Sequence, residues 1–170
     1  MSASKTNTHT DFLLRKLANS APDQGGRRES LTTTVEAAVG SLDENALSPL
    51  AGGQRLSAVD AKRLLALLSW SYARELYSSA EIHSRLRRGG TAELWECGIP
   101  SVADICRFRM ENRRALESCL RSALHFLAVQ KMAAGLVTRI NEACIAAEAG
   151  RRIITAIFID NTEATALATL

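Results

Sequence analysis

Four arginines, Arg107, Arg109, Arg113 and Arg114, fall within eight residues of one another. A guanidinium is planar, permanently charged and matched to phosphate by paired N–H donors. At 3.6 residues per turn, 107 lies near 114 and 109 near 113 on one helical face. Such a face beside a helix N-terminus would contact the phosphates of a nucleic acid. The competing reading is a solvated face, paired locally with Asp104, Glu111 and Glu117 three or four positions away. A second group, Arg85, Arg87 and Arg88, closes a short helical stretch. There the cations complement the helix dipole, which alone accounts for them. Arg85 and Arg88 join the candidate nucleic-acid set as its weaker members. From Lys62 to Arg114 ten basic residues face six acidic ones, whereas the charges balance from Ala115 onward.

Other chemistry is thinly represented. His83 and His125 lack an H-x-x-x-H partner, and Cys97, Cys106, Cys119 and Cys144 have no C-x-x-C spacing. Neither set has the form of a zinc site. No glycine-rich phosphate loop and no G-x-S-x-G elbow occurs. The expectation is no metal, no cofactor, no small-molecule substrate and no catalytic activity. Free cysteines in apolar helical surroundings behave as small hydrophobes, which suits a reducing, cytoplasmic setting. Met1 to Thr10 is polar and reads as disordered, without a secretory signal. No apolar run reaches the length of a membrane span, so no membrane partner is expected.

The elements that must position these groups read as helices. Hydrophobic residues make up 46% of the 170 residues but aromatics only 5%. Such a core of Leu, Ile, Val and Ala suits helix on helix. Asp11 is placed to cap a short helix holding Phe12, Leu13, Leu14 and Leu17. Pro22, Gly25 and Gly26 mark a loop from Ala21 to Ser30, a short helix follows to Val39, and Ser48 to Gly53 is a break. Ser57-Ala-Val-Asp60 has the form of a capping box. After it Ala61, Leu64, Leu65, Leu68, Tyr72 and Leu76 recur at helical spacing, which predicts a central helix of about five turns. Tyr77 to Ser79 interrupts, and a helix with Ile82 and Leu86 ends at Gly89-Gly90. A short helix with Leu94 and Trp95 precedes the turn Gly98-Ile99-Pro100. Ser101 to Asp104 then opens a helix with Val102, Ile105 and Phe108. A long helix runs from about Glu111 through Leu116, Cys119, Leu120, Ala123, Leu124 and Leu127 toward Gly135. A last one, from Leu136, carries Ile140, Cys144, Ala147, Ile154 and Ile157. Ile153 to Ile159 is β-branched enough for a strand but has no second strand to pair with. Trp70, Tyr72 and Trp95 read as core.

Four stretches within Gly52 to Leu116 resemble the N-terminal domain of InsH-type insertion-sequence transposases. They are the leucine-rich run Leu64 to Ala73 with its Tyr-Ala ending, Tyr77-Ser-Ser-Ala-Glu-Ile82, the turn Gly98 to Ser101, and Ile105-Cys-Arg-Phe-Arg109. Asn112-Arg113 with Leu116 continues the pattern, in the family order. The resemblance implies a DNA-binding module. Complete members continue into a ribonuclease-H-like domain whose three carboxylates hold two divalent metals. Here 54 residues follow Leu116 and read as helix, so that domain is expected to be missing. Phe158-Ile-Asp160-Asn-Thr162 is similar to the family strand bearing the first catalytic aspartate, but Asn161 replaces its Gly. Asp160 is expected to be a surface acid near a helix end.

The sequence therefore predicts an all-α protein, a bundle of several short helices plus one or two longer C-terminal helices. Residues 1–50 are expected as a loosely helical segment, 51–117 as the transposase-like domain and 118–170 as a helical extension. The expected function is non-catalytic DNA binding through the arginines. The alternative is a helical protein-interaction domain, forming a homodimer or pairing with a full-length transposase.

Overall fold

The computed structural model describes residues 13–14, 30–43, 46–48 and 56–168. The expectations for Met1 to Thr10, the Asp11 cap, the 21–29 loop and most of the 48–53 break lie outside these residues. The described residues include six α-helices and a 3-10 turn, and no strand occurs among them. They are α1 (Leu31–Gly40), α2 (Ala58–Ala73), α3 (Ser79–Arg88), α4 (Val102–Glu111), α5 (Arg113–Ala133) and α6 (Glu142–Ala168), with the 3-10 turn at Ala92–Leu94. The chain is thus an all-α bundle with two long C-terminal helices.

Helix α2 is buried on every side from Arg63 to Ala73, and Leu64, Leu65, Ala66, Leu67 and Leu68 are buried in succession. A helix hydrophobic all round belongs at the centre. Each such leucine contributes about 1.5–3 kcal/mol of burial. Helix α5 lies along α2 and also packs on α1 and α6, through Leu116, Cys119, Leu120, Ala123 and Leu124. Val35 and Val39 bring α1 into the same core, and Leu13 and Leu14 are fully buried in it. Boundaries at 50 and 117 do not divide this core, because α5 runs unbroken through 117 and joins the N-terminal helix to the C-terminal one.

The caps show why the helices begin where they do. Ser57, Ser78 and Ser101 each accept a hydrogen bond from the backbone N–H three residues on. Ser101 and Asp104 complete a reciprocal box. Ser57 and Asp60 do not. The Asp60 carboxylate is turned inward, where it accepts from the backbone N–H of Glu96 (3.1 Å) and Cys97 (2.8 Å) and meets Arg63 at 3.3 Å. It thereby ties the 3-10 segment to α2, and Arg63 also donates to the carbonyl of Leu94.

Helix α2 stops at Ala73, a turn earlier than its apolar period suggests. Glu75 takes a left-handed φ of 63°, and the Leu76 N–H returns to the Ser71 carbonyl at 2.9 Å. In α6 the β-branched run 153–159 is helical. It buries Ile145, Ala149, Arg152, Ile153 and Ala156 along one stripe, a spacing only a helix can satisfy. Gly150 sits inside this helix, where glycine costs about 1 kcal/mol relative to alanine.

Candidate nucleic-acid interface

The six candidate arginines separate into different surroundings. Helix α4 ends at Glu111 and α5 starts at Arg113, with Asn112 at the elbow between them. The sequence argument that 107 neighbours 114, and 109 neighbours 113, assumed one helical path, and this elbow breaks it. Arg107 and Arg109 lie on α4, whereas Arg113 and Arg114 lie on α5.

Arg109 points inward and is only 3% exposed. Its position is set by the stripe Ile105, Phe108, Arg109 and Asn112, all buried. Its guanidinium pairs with Asp160 at 2.7 Å and donates to the Tyr72 hydroxyl at 3.0 Å. Ser79 donates its hydroxyl and backbone N–H to the same carboxylate at 2.6 and 2.8 Å, and the Cys106 thiol lies 3.3 Å from it. Burial pushes the Tyr72 phenol up to about 12, against the opposing effect of Arg109. Burial likewise raises the Cys106 thiol. Neither group is therefore an ionised nucleophile near neutral pH. Arg109 is withdrawn from the nucleic-acid set, since a phosphate cannot reach it. Asp160 is not a surface acid: its side chain is 8% exposed and it lies within a helix rather than on a strand.

This cluster belongs to a larger joint. The inner face of α6 crosses the turn between α2 and α3. Arg152 donates to the carbonyls of Tyr72 and Ala73 at 2.7 and 2.9 Å, and meets Glu75 at 3.2 Å. Those carbonyls are the open C-terminal end of α2. Asp160 takes the first N–H of α3, and Glu163 accepts from the Ser78 hydroxyl at 2.9 Å. A cation thus sits at a helix C-terminus and two carboxylates at a helix N-terminus, each matching the local dipole. Tyr72, Ser79 and Arg109, from three separate helices, all meet here. They are occupied in holding helices together.

The remaining arginines are outside. Arg85 is half-buried and bonded to Glu81 through Nε at 3.0 Å. Arg88 is exposed and touches its own helix at the Ser84 carbonyl, 3.4 Å away. Arg107 is half-buried. Arg113 and Arg114 are exposed and make no ion pair or side-chain hydrogen bond among the described residues. They open α5, whose first turn contains no acid. Asn112 gives that helix no side-chain cap, because its amide is engaged with the backbone of Ser48 at 2.7 Å. Two cations, the positive end of a 21-residue helix dipole and its uncapped amides therefore coincide.

The other residues singled out in the sequence are structural. Trp70, Tyr72 and Trp95 are buried. His83 Nδ1 meets the Pro100 carbonyl at 2.8 Å and His125 Nδ1 meets Glu142 at 2.7 Å. All four cysteines are free thiols, and burial pushes Cys119 up to about 12. Among the described residues no group of three or more His, Cys, Asp or Glu is arranged to hold a metal ion, and no helix is long and apolar enough to cross a membrane. Comparison with protein-family models, with curated proteins and with solved structures gives no match.

Proposed function

We propose that the chain is a non-catalytic, transposase-related module that binds duplex DNA through the start of α5. The observation that carries this reading is the placement of Arg113 and Arg114. Exposed, unpaired cations at a helix N-terminus oppose the dipole and cost the fold about 0.3–1 kcal/mol each. Among the described residues no ion pair or side-chain hydrogen bond engages them, whereas a phosphate would. The phosphate would take N–H donors from the first turn and charge from the two guanidiniums, a sequence-independent contact that sets position on the duplex. Arg107 and Arg88 are the further candidates for phosphate contacts. The resemblance across 52–116 supports the same partner.

The test is binding of a labelled duplex to the full chain across a salt series. Arg113→Ala with Arg114→Ala should weaken binding to all sequences and flatten the salt dependence by about two counterions. Absence of binding to any duplex at low salt refutes the proposal, and so does a double variant that binds as the parent does.

A further inference from the structure

The outer face of α6 carries large apolar side chains that the bundle leaves uncovered. Ile154 and Phe158 are 55% and 69% exposed, one turn apart on the same side. Gly150 lies one turn before Ile154. It has no role in packing the bundle, since a Cβ placed there would meet nothing within 4 Å. Its φ is not left-handed either. A glycine that weakens a helix and serves no internal contact leaves a notch on the outside. Ala147, also exposed, extends that notch by a further turn.

We infer that two copies of this chain meet on this face, with their α6 helices antiparallel across a two-fold axis at Ile154. Phe158 of each copy seats in the Gly150 notch of the other. The occupant follows from the spacing. Positions equidistant from Ile154 face each other in such a pair, and 150 and 158 are equidistant from it. The projecting ring and the missing side chain are thus complementary within one surface, as an isologous contact requires. A parallel pair would set Phe158 against Phe158 and leave both notches empty. It would also set Arg151 against Arg151. The antiparallel pair instead lays the Arg151 stem over Ile157, which is partly buried. Arg151 brings no unpaired charge to the seam, because Glu148 holds it at 2.6 and 2.7 Å. The two helix dipoles also run in opposite senses. This inference does not depend on DNA binding.

Sedimentation of the full chain without DNA, over a wide range of concentration, tests it. The chain should dimerise reversibly. Phe158→Glu should weaken association about 30-fold or more, as expected for an aromatic at the interface centre. Phe158 is exposed, so the variant should keep the parental helical content. Gly150→Ala should weaken association about tenfold by overfilling the notch, while the monomer melts no lower than the parent. In a Cys97→Ser, Cys144→Ser background, Ile154→Cys should allow oxidation to link the copies on the axis. A monomer at every concentration overturns the inference. So does a dimer indifferent to Phe158→Glu, or a parent dimer that oxidises through Cys144 to Cys144, as a parallel pair would.

Discussion

Arg109 and Arg113 stand four residues apart and meet opposite circumstances. At the joint between α2 and α3, charges match the helix ends they bond: Arg152 at the close of α2, Asp160 and Glu163 at the opening of α3. Arg109 neutralises Asp160 there, away from water. At the opening of α5 two exposed arginines disagree with the helix end, with no acid in its first turn and no side-chain cap. The first arrangement is explained by the stability it confers. The second is not, and the proposed phosphate contact is the reading that gives it a purpose.

Removing one partner of the joint is the most damaging way to test this contrast. Asp160→Ala leaves a buried guanidinium unpaired and should cost about 3–5 kcal/mol in urea unfolding. Replacing both members, Arg109→Met with Asp160→Leu, should cost much less. If Asp160→Ala is nearly neutral, the joint is not what holds α6. Next in size is Arg152→Met, which strips two carbonyls of a charged donor and should cost about 1.5–3 kcal/mol. At the start of α5 the sign reverses. Arg113→Glu and Arg114→Glu should each stabilise the fold by about 0.3–1 kcal/mol while weakening duplex binding. A thermal melt and a binding titration on the same variants read both quantities. Loss of stability would show that these arginines have an internal role.

The smallest effect is a pH dependence. Hydrogen bonds from Arg151, then Arg152, hold the Glu148 carboxyl at about 2, below its ordinary 4.5. Its folded value is depressed, so its contribution is complete above 4.5 and is lost as the pH falls from there toward 2. Stability followed across that acid range should slope less steeply in Glu148→Gln than in the parent.

Much of the helical framework was legible because its signals are local. Serines 57, 78 and 101 cap where they stand, and apolar spacing exposed the central place of α2. The two-helix path through Asn112 was less visible. Neither glycine nor proline marks that elbow, and the Asn112 amide is held by Ser48, far away in sequence. The burial of Arg109 had a signal, since it lies four residues after Ile105 and beside Phe108, on the face that packs. Its charge masked that spacing. Asp60 and Asp160 were read as a cap and a surface acid because the partners that turn them inward lie 36 to 37 and 51 to 81 residues away. No local period reports such contacts.

The stretch from Lys131 to Arg139, the last residues of α5 and most of the link to α6, is exposed along its whole length. Peptide bonds there bear little on the rest of the molecule, since α6 is fastened by side chains further on. Scission at Lys131 or Arg139 by trypsin should therefore yield two fragments that stay associated and melt together. The C-terminal helix is in effect a detachable ligand that happens to share a backbone with its receptor.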